Sequence, residues 1–224
     1  MPKLPTSKYF TGLLIWNVVF ALICIPTAGK MVDIFGIPLS ISIFYFPFVY
    51  IIADLLTEVY GYAAARHVLW YTVITQTVAT VIFQFVAYFP PAQTFAQDEA
   101  FRAVLTAAPQ MTFFGMIAVF FGDISNNYVL AKMKILTGGR LMSLRFFAST
   151  VVGQTVNTAI FYIFGLWGFL NFDFIVQSVL LGSFCKVAVE LVMLPVTVKV
   201  AARLKQAEKL DTFDNGTDFN PFKL

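Results

Sequence analysis

Six stretches of this chain are each long and apolar enough to cross a lipid bilayer, at residues 9–28, 38–60, 68–89, 111–131, 146–170 and 174–198. A spanning helix needs about 20 mostly apolar residues, because hydrocarbon offers the backbone no partners outside the helix. Composition agrees. Hydrophobic residues make up 59% and charged ones 12%, against about 25% charged in ordinary soluble domains. The chain therefore reads as an all-α polytopic membrane protein, with a six-helix transmembrane domain at residues 1–204 and a polar cytoplasmic tail at 205–224. The run after the first ten residues is long enough to span, and the CIPTAGK that follows is a weak cleavage match, so a retained first helix is expected.

The basic residues set the orientation. Lys3, Lys8, Arg66, Lys132, Lys134, Arg140, Arg145, Lys199, Arg203, Lys205, Lys209 and Lys223 fall on the side of the termini, and only Lys30 and Arg102 on the other. Twelve against two places both termini in the cytoplasm, with the tail as a mobile extension. The formal charge of +3 is explained by this asymmetry, and no nucleic-acid partner is expected. The segment AFRAVLTAA in the loop at 92–110 is compatible with a short interfacial helix. Cys24 and Cys185 fall inside spans, as small apolar fillers.

Against this apolar background, FPFVYIIADLLTEVYGY carries two carboxylates, Asp54 and Glu58, spaced i, i+4 on one helix face. Asp123 lies on the fourth span, and Lys186 and Glu190 on the sixth repeat the same spacing and can pair. A charged group at the bilayer centre costs roughly 2.5–3.5 kcal/mol on insertion scales, so such groups mark sites or pathways. Four carboxylates then face one ammonium, and a cationic or donor-rich ligand, or a transported proton, would meet the surplus. The alternative is a network that locks helices together. Gln154 and Asn157 share a face in VGQTVNT and suit a ligand role, whereas Gln76 and Gln84 suit interhelical contacts. No phosphate-binding glycine loop, zinc spacing or serine elbow is present, and the one histidine, His67, sits in a basic turn. No enzyme activity, metal or cofactor is expected.

The run FPFVYIIADLLTEVYGYAAARHVLW resembles the signature of the queuosine precursor transporter family, within the vitamin uptake transporters. GDISNNYVLAKMKILTGGRLMSLRFFASTVVGQ and the closing KLDTFDNGTDFNPF are similar to further stretches of that family. The resemblance implies import of a 7-deazaguanine base across the bacterial inner membrane, for salvage into the tRNA nucleoside queuosine. It places Asp54, Glu58 and Gln154 on matching positions; many members carry Asp where this chain has Asn157. A deazaguanine offers a ring N–H and an exocyclic amine to a carboxylate, and a carbonyl to an amide donor. Phe46, Tyr50 or Tyr60 can stack on it. The expected substrate-binding set is Asp54, Glu58, Gln154, Asn157, Asp123, Lys186, Glu190, Tyr50 and Phe46. The cyano and aminomethyl precursors both stay open, as does a homo-oligomer. A substrate-capture subunit serving a separate ATP-driven module is the alternative function.

Overall fold

The computed structural model describes residues 7–106 and 109–223. Lys3 of the charge tally, and Ala107 and Ala108 of the AFRAVLTAA segment, lie outside them. The fold is an all-α bundle: α1 (Lys8–Thr27), α2 (Pro47–Tyr60), α3 (Tyr62–Tyr88), a short α4 (Asp98–Leu105), α5 (Pro109–Leu136), α6 (Met142–Ile160) and α7 (Phe172–Glu208). Five helical stretches, those containing α1, α3, α5, α6 and α7, are long and apolar enough to cross a membrane.

The second expected span differs from a plain helix. Residues 31–40 form a hairpin, β1 (Met31–Ile34) against β2 (Ile37–Ser40). Its two-residue turn is Phe35-Gly36, with φ of 54° and 77°, the left-handed pair that suits the twist of a tight hairpin. One 3-10 turn, Ile41–Phe44, follows, and α2 then starts with Pro47 in its first turn, where a missing N–H costs nothing. At 14 residues, α2 is about 21 Å long, too short to cross alone. Gly61 separates it from α3, with φ 87° and ψ 167°, a conformation essentially reserved for glycine.

Two other elements depart from expectation. The alanine-rich turn at 62–67 is helical and opens α3, as its propensity allows. The fifth span closes early, in a π turn at Phe161–Gly165.

The helices alternate in direction. One end of the bundle holds the hairpin, the start of α5 and the close of α6; Ser178 Oγ donates to the Pro38 carbonyl there, and Gln110 to the carbonyls of Phe164 and Trp167. The other end holds the junction of α2 and α3, the close of α5 and the residues after α7.

Those last residues are docked along the bundle, where a mobile extension was expected. Both Asp214 carboxylate oxygens accept from the Tyr62 backbone N–H, at 3.1 and 3.0 Å. Arg66, buried in α3, donates to the carbonyls of Asp218 and Asn220, and Trp70 to that of Pro221. Phe219 packs on Tyr62 and Tyr128, with the Lys132 ammonium 4.0 Å from its ring centre. Charges read as topology markers thus serve as anchors.

Asp211 belongs to this contact, accepting from Lys134 at 2.5 Å and pairing with Lys205 at 2.9 Å. Burial alone would raise its carboxyl, but the two ammonium hydrogen bonds outweigh burial and hold it below the usual carboxylate range. A carboxyl depressed on folding stabilises above its unfolded value, and that contribution fades as pH falls through the depressed one. Proteolytic cleavage of the tail is therefore expected to stay constant from neutral pH to about pH 4 and to rise below it. Cleavage rising already at pH 6 would contradict this role for Asp211.

Candidate functional site

Two buried polar groupings occupy different depths of the bundle. The first borders a cavity in the half nearer the hairpin, with about 630 Å³ of empty space counted to its open rim. Its walls are largely apolar, from Cys24 and Ile25 of α1 and Ala28 just after it, Met111, Met116 and Val119 of α5, and Phe161. The polar residues on it are Ser42, Gln76, Thr112, Asn157 and Lys186, and Phe46 supplies an aromatic face. The Lys186 ammonium lies 4.8 Å from the Phe46 ring centre and donates to Asn157 Oδ1 at 3.0 Å and Thr158 Oγ1 at 3.2 Å.

The expected pairing of Lys186 with Glu190 is not what forms. Lys186 turns to Asn157 and Thr158, whereas Glu190 accepts from Thr150 at 2.6 Å and from Gln154 Nε2. All four partners lie on α6, whose polar face meets α7 along this line. An i, i+4 spacing brings the two within reach, but α6 offers each a partner with better-directed hydrogen bonds.

Beneath the cavity lies a layer of carboxylates and amides. Asp54 accepts from Asn126 Nδ2 at 2.7 Å, with Ser149 Oγ at 3.5 Å. The Tyr50 hydroxyl is hydrogen-bonded to Asp123 and lies 3.3 Å from the Gly153 carbonyl. Tyr50 and Gln154 are fully enclosed, and Asp54, Asp123 and Glu190 nearly so. Asp54 and Glu190 also line a smaller cavity, about 270 Å³ by the same measure, among α2, α6 and α7. Glycines set the spacing: Gly122 of α5 and Gly153 of α6 bring the two backbones together beside the Tyr50 ring.

Glu58 sits elsewhere. It is fully buried toward the tail end, and its Oε1 receives Arg145 and Lys205, each at 2.6 Å, with Lys134 at 3.8 Å. Lys134 also donates to the carbonyls of Glu58 and Thr212. The expected surplus of four carboxylates over one ammonium is thereby corrected. Cations read as parts of cytoplasmic turns or of the tail lie in α5, α6 and α7 and turn inward to Glu58. The surplus falls on Asp54, Asp123 and Glu190, with Lys186 the one ammonium among them.

Of the residues singled out from the sequence, Phe46, Asn157 and Lys186 border the larger cavity. Tyr50, Asp54, Asp123, Gln154 and Glu190 form the layer below, and Glu58 joins the ion cluster. Gln76 was read as interhelical, and its amide does donate to the Ala21 carbonyl at 3.0 Å. Yet it also borders the cavity, and its Oε1 has no partner among the described residues. Ser42 and Cys24 were missed as cavity residues, since nothing in their local sequence separates a cavity wall from ordinary packing. Among the described residues no group of three or more His, Cys, Asp or Glu is gathered as for a metal ion.

No solved structure matches the chain. A "Probable queuosine precursor transporter" of Bacillus subtilis (strain 168) is 28% identical over 186 residues, covering 82% of this chain and 81% of that protein. The family described as "Putative vitamin uptake transporter" matches residues 40–200, from the hairpin through most of α7. A multi-pass bundle with a small cavity inside its apolar body and a family match over most of its length lead to one assignment: this chain belongs to the vitamin uptake transporter family.

Proposed function

We propose that this transporter imports a 7-deazaguanine precursor of queuosine across the bacterial inner membrane, and that the base binds in the hairpin-side cavity. One observation carries the reading. Inside an apolar bundle, an aromatic face, an ammonium and two amides border one open cavity. Phe46 would stack on the ring system, Lys186 would donate to the ring carbonyl, and the unpartnered Gln76 Oε1 would accept from a ring N–H or the exocyclic amine. The Bacillus subtilis relative supports this substrate class by its name. The excess of Lys and Arg at the tail end supports a cytoplasmic tail, so the cavity would take the base from the opposite side.

The test is uptake of radiolabelled 7-cyano- and 7-aminomethyl-7-deazaguanine into liposomes holding only the purified protein. Uptake without an ATPase separates this reading from a capture subunit. Base–aromatic stacking is worth roughly 1–3 kcal/mol and a hydrogen bond from a charged donor about 1.5–3 kcal/mol. Phe46→Ala and Lys186→Met are therefore each expected to cut uptake about 10-fold or more, with unchanged amounts of folded protein. Wild-type uptake in both variants would move the base out of this cavity.

A further inference from the structure

We infer that the carboxylate layer beneath the cavity is a second binding site, for a monovalent cation whose entry and release drive transport. Asp54 and Glu190, on different helices, border one small cavity whose other walls are mostly apolar, Ile51, Phe146 and Leu191 among them, with the hydroxyl residues Thr150 and Thr197. Every hydrogen bond that reaches these two carboxylates comes from a neutral group, namely Asn126, Ser149, Thr150 or Gln154. Two carboxylates facing one apolar space without a cation between them repel each other, and the bilayer makes net charge there costly.

An independent observation points the same way. Three acceptor oxygens of this layer, Asp123 Oδ1, Asn126 Oδ1 and Gln154 Oε1, are buried without a donor among the described residues. A buried acceptor left without a donor is costly, so a layer that collects three of them is built to receive a positive guest. A proton on one carboxyl, or a sodium ion between a carboxylate and an amide oxygen, fits the same chemistry.

The charged and titratable groups facing this layer are few. Tyr50 and Asp54 come from α2, Asp123 from α5, and Lys186 and Glu190 from α7. Glu58, one turn along α2 from Asp54, is held by Arg145 of α6, with Lys134 and Lys205 behind it. Lys186 is the nearest cation, but its hydrogen bonds go to Asn157 and Thr158, on the cavity side. A base in the cavity and a cation in the layer would thus be separated by the Lys186 and Tyr50 side chains, close enough for each to alter the binding of the other.

The gradient arm of the test rests on the transport reading above. Purified protein in liposomes takes up labelled 7-cyano-7-deazaguanine, an uncharged probe, under an inward proton gradient, an inward sodium gradient, or neither. One of the two gradients is expected to raise initial uptake several-fold, and which one does so names the ion. In Glu190→Gln and in Asp54→Asn the ratio of driven to undriven uptake is expected to fall to one. Equal wild-type uptake under all three conditions, or a full gradient response in both variants, would overturn the inference. If the base does not move even in counterflow, the substrate reading fails. The cation site is then judged by the melting temperature of the purified protein as pH and sodium vary. A wild-type dependence that both variants lose supports the site, and the same dependence in all three proteins overturns it.

Discussion

Replacing Glu58 with glutamine is expected to destabilise the protein by about 3–5 kcal/mol, the usual cost of removing one partner from a buried ion pair. The side chain is wholly enclosed and its Oε1 is the meeting point of Arg145 and Lys205, each at 2.6 Å. Glutamine keeps the shape, so no cavity forms; what changes is charge. Arg145 is as buried as Glu58 and would keep only neutral acceptors, the Arg140 carbonyl, the Thr137 hydroxyl and the new amide oxygen. Lys134 would retain Asp211 and two carbonyls. Because the cluster joins α2, α5, α6 and α7 to the docked tail, its loss should lower the melting midpoint in detergent by many degrees and expose the tail to protease at the same time. Asp211→Asn provides the contrast. Its side chain is 46% exposed, so losing its pairs is expected to loosen the tail while costing less than losing the enclosed Glu58. If Glu58→Gln melts like the wild type but abolishes base uptake, Glu58 acts with the substrate site and the cluster is not what holds the tail end shut.

This reassignment of Glu58 shows what was legible in the chain and what was not. Apolar spans declare themselves because the bilayer imposes length and composition on each helix separately, so five of the six stretches stand as long helices. The second, 38–60, does not, because its first residues close the hairpin and form the 3-10 turn, and the helix begins only at Pro47, by backbone rules that hydropathy ignores. Buried carboxylates were equally conspicuous, since any Asp or Glu in such a stretch stands out. Their partners were not. Arg145, Lys134 and Lys205 lie 87, 76 and 147 residues from Glu58 along the chain. A lysine at a helix end reads the same whether it points to water or turns inward. The tail misled for a related reason: its polar residues suit solvent, yet Asp214 and the carbonyls of Asp218 and Asn220 meet donors on α3. Asn157 is the case where sequence and geometry meet. A carboxylate there would pair directly with Lys186, whereas the amide of this chain leaves the ammonium with neutral acceptors beside the cavity.

The glycine contact between α5 and α6 yields the other large expected effect. In Gly122→Ala the new methyl would lie 2.2 Å from the Tyr50 hydroxyl oxygen, 2.7 Å from Asn157 Cβ and 3.1 Å from the Gly153 carbonyl. None of these can yield cheaply. Tyr50 is fully buried and Gly153 presents backbone, while Asn157 Cβ is fixed to its helix. The helices must part, or Tyr50 must leave Asp123, and overpacking of this kind costs typically 1–3 kcal/mol. Close helix approach through small residues is itself a main source of association in lipid, so the loss extends along the contact. Transport should suffer more than stability, because the displaced groups are those between the cavity and the carboxylate layer: Tyr50, Asn157 and, through it, Lys186. Gly115→Ala, two turns away on the same face of α5, is the control, since its methyl would meet only the Phe161 ring at 3.8 Å. Gly115→Ala is expected to melt like the wild type and Gly122→Ala to melt lower, with base uptake in the latter reduced at least about 10-fold, the equivalent of 1.4 kcal/mol. Should the two variants behave alike, the α5–α6 contact is looser than these distances imply, and Tyr50 is not wedged between the two helices.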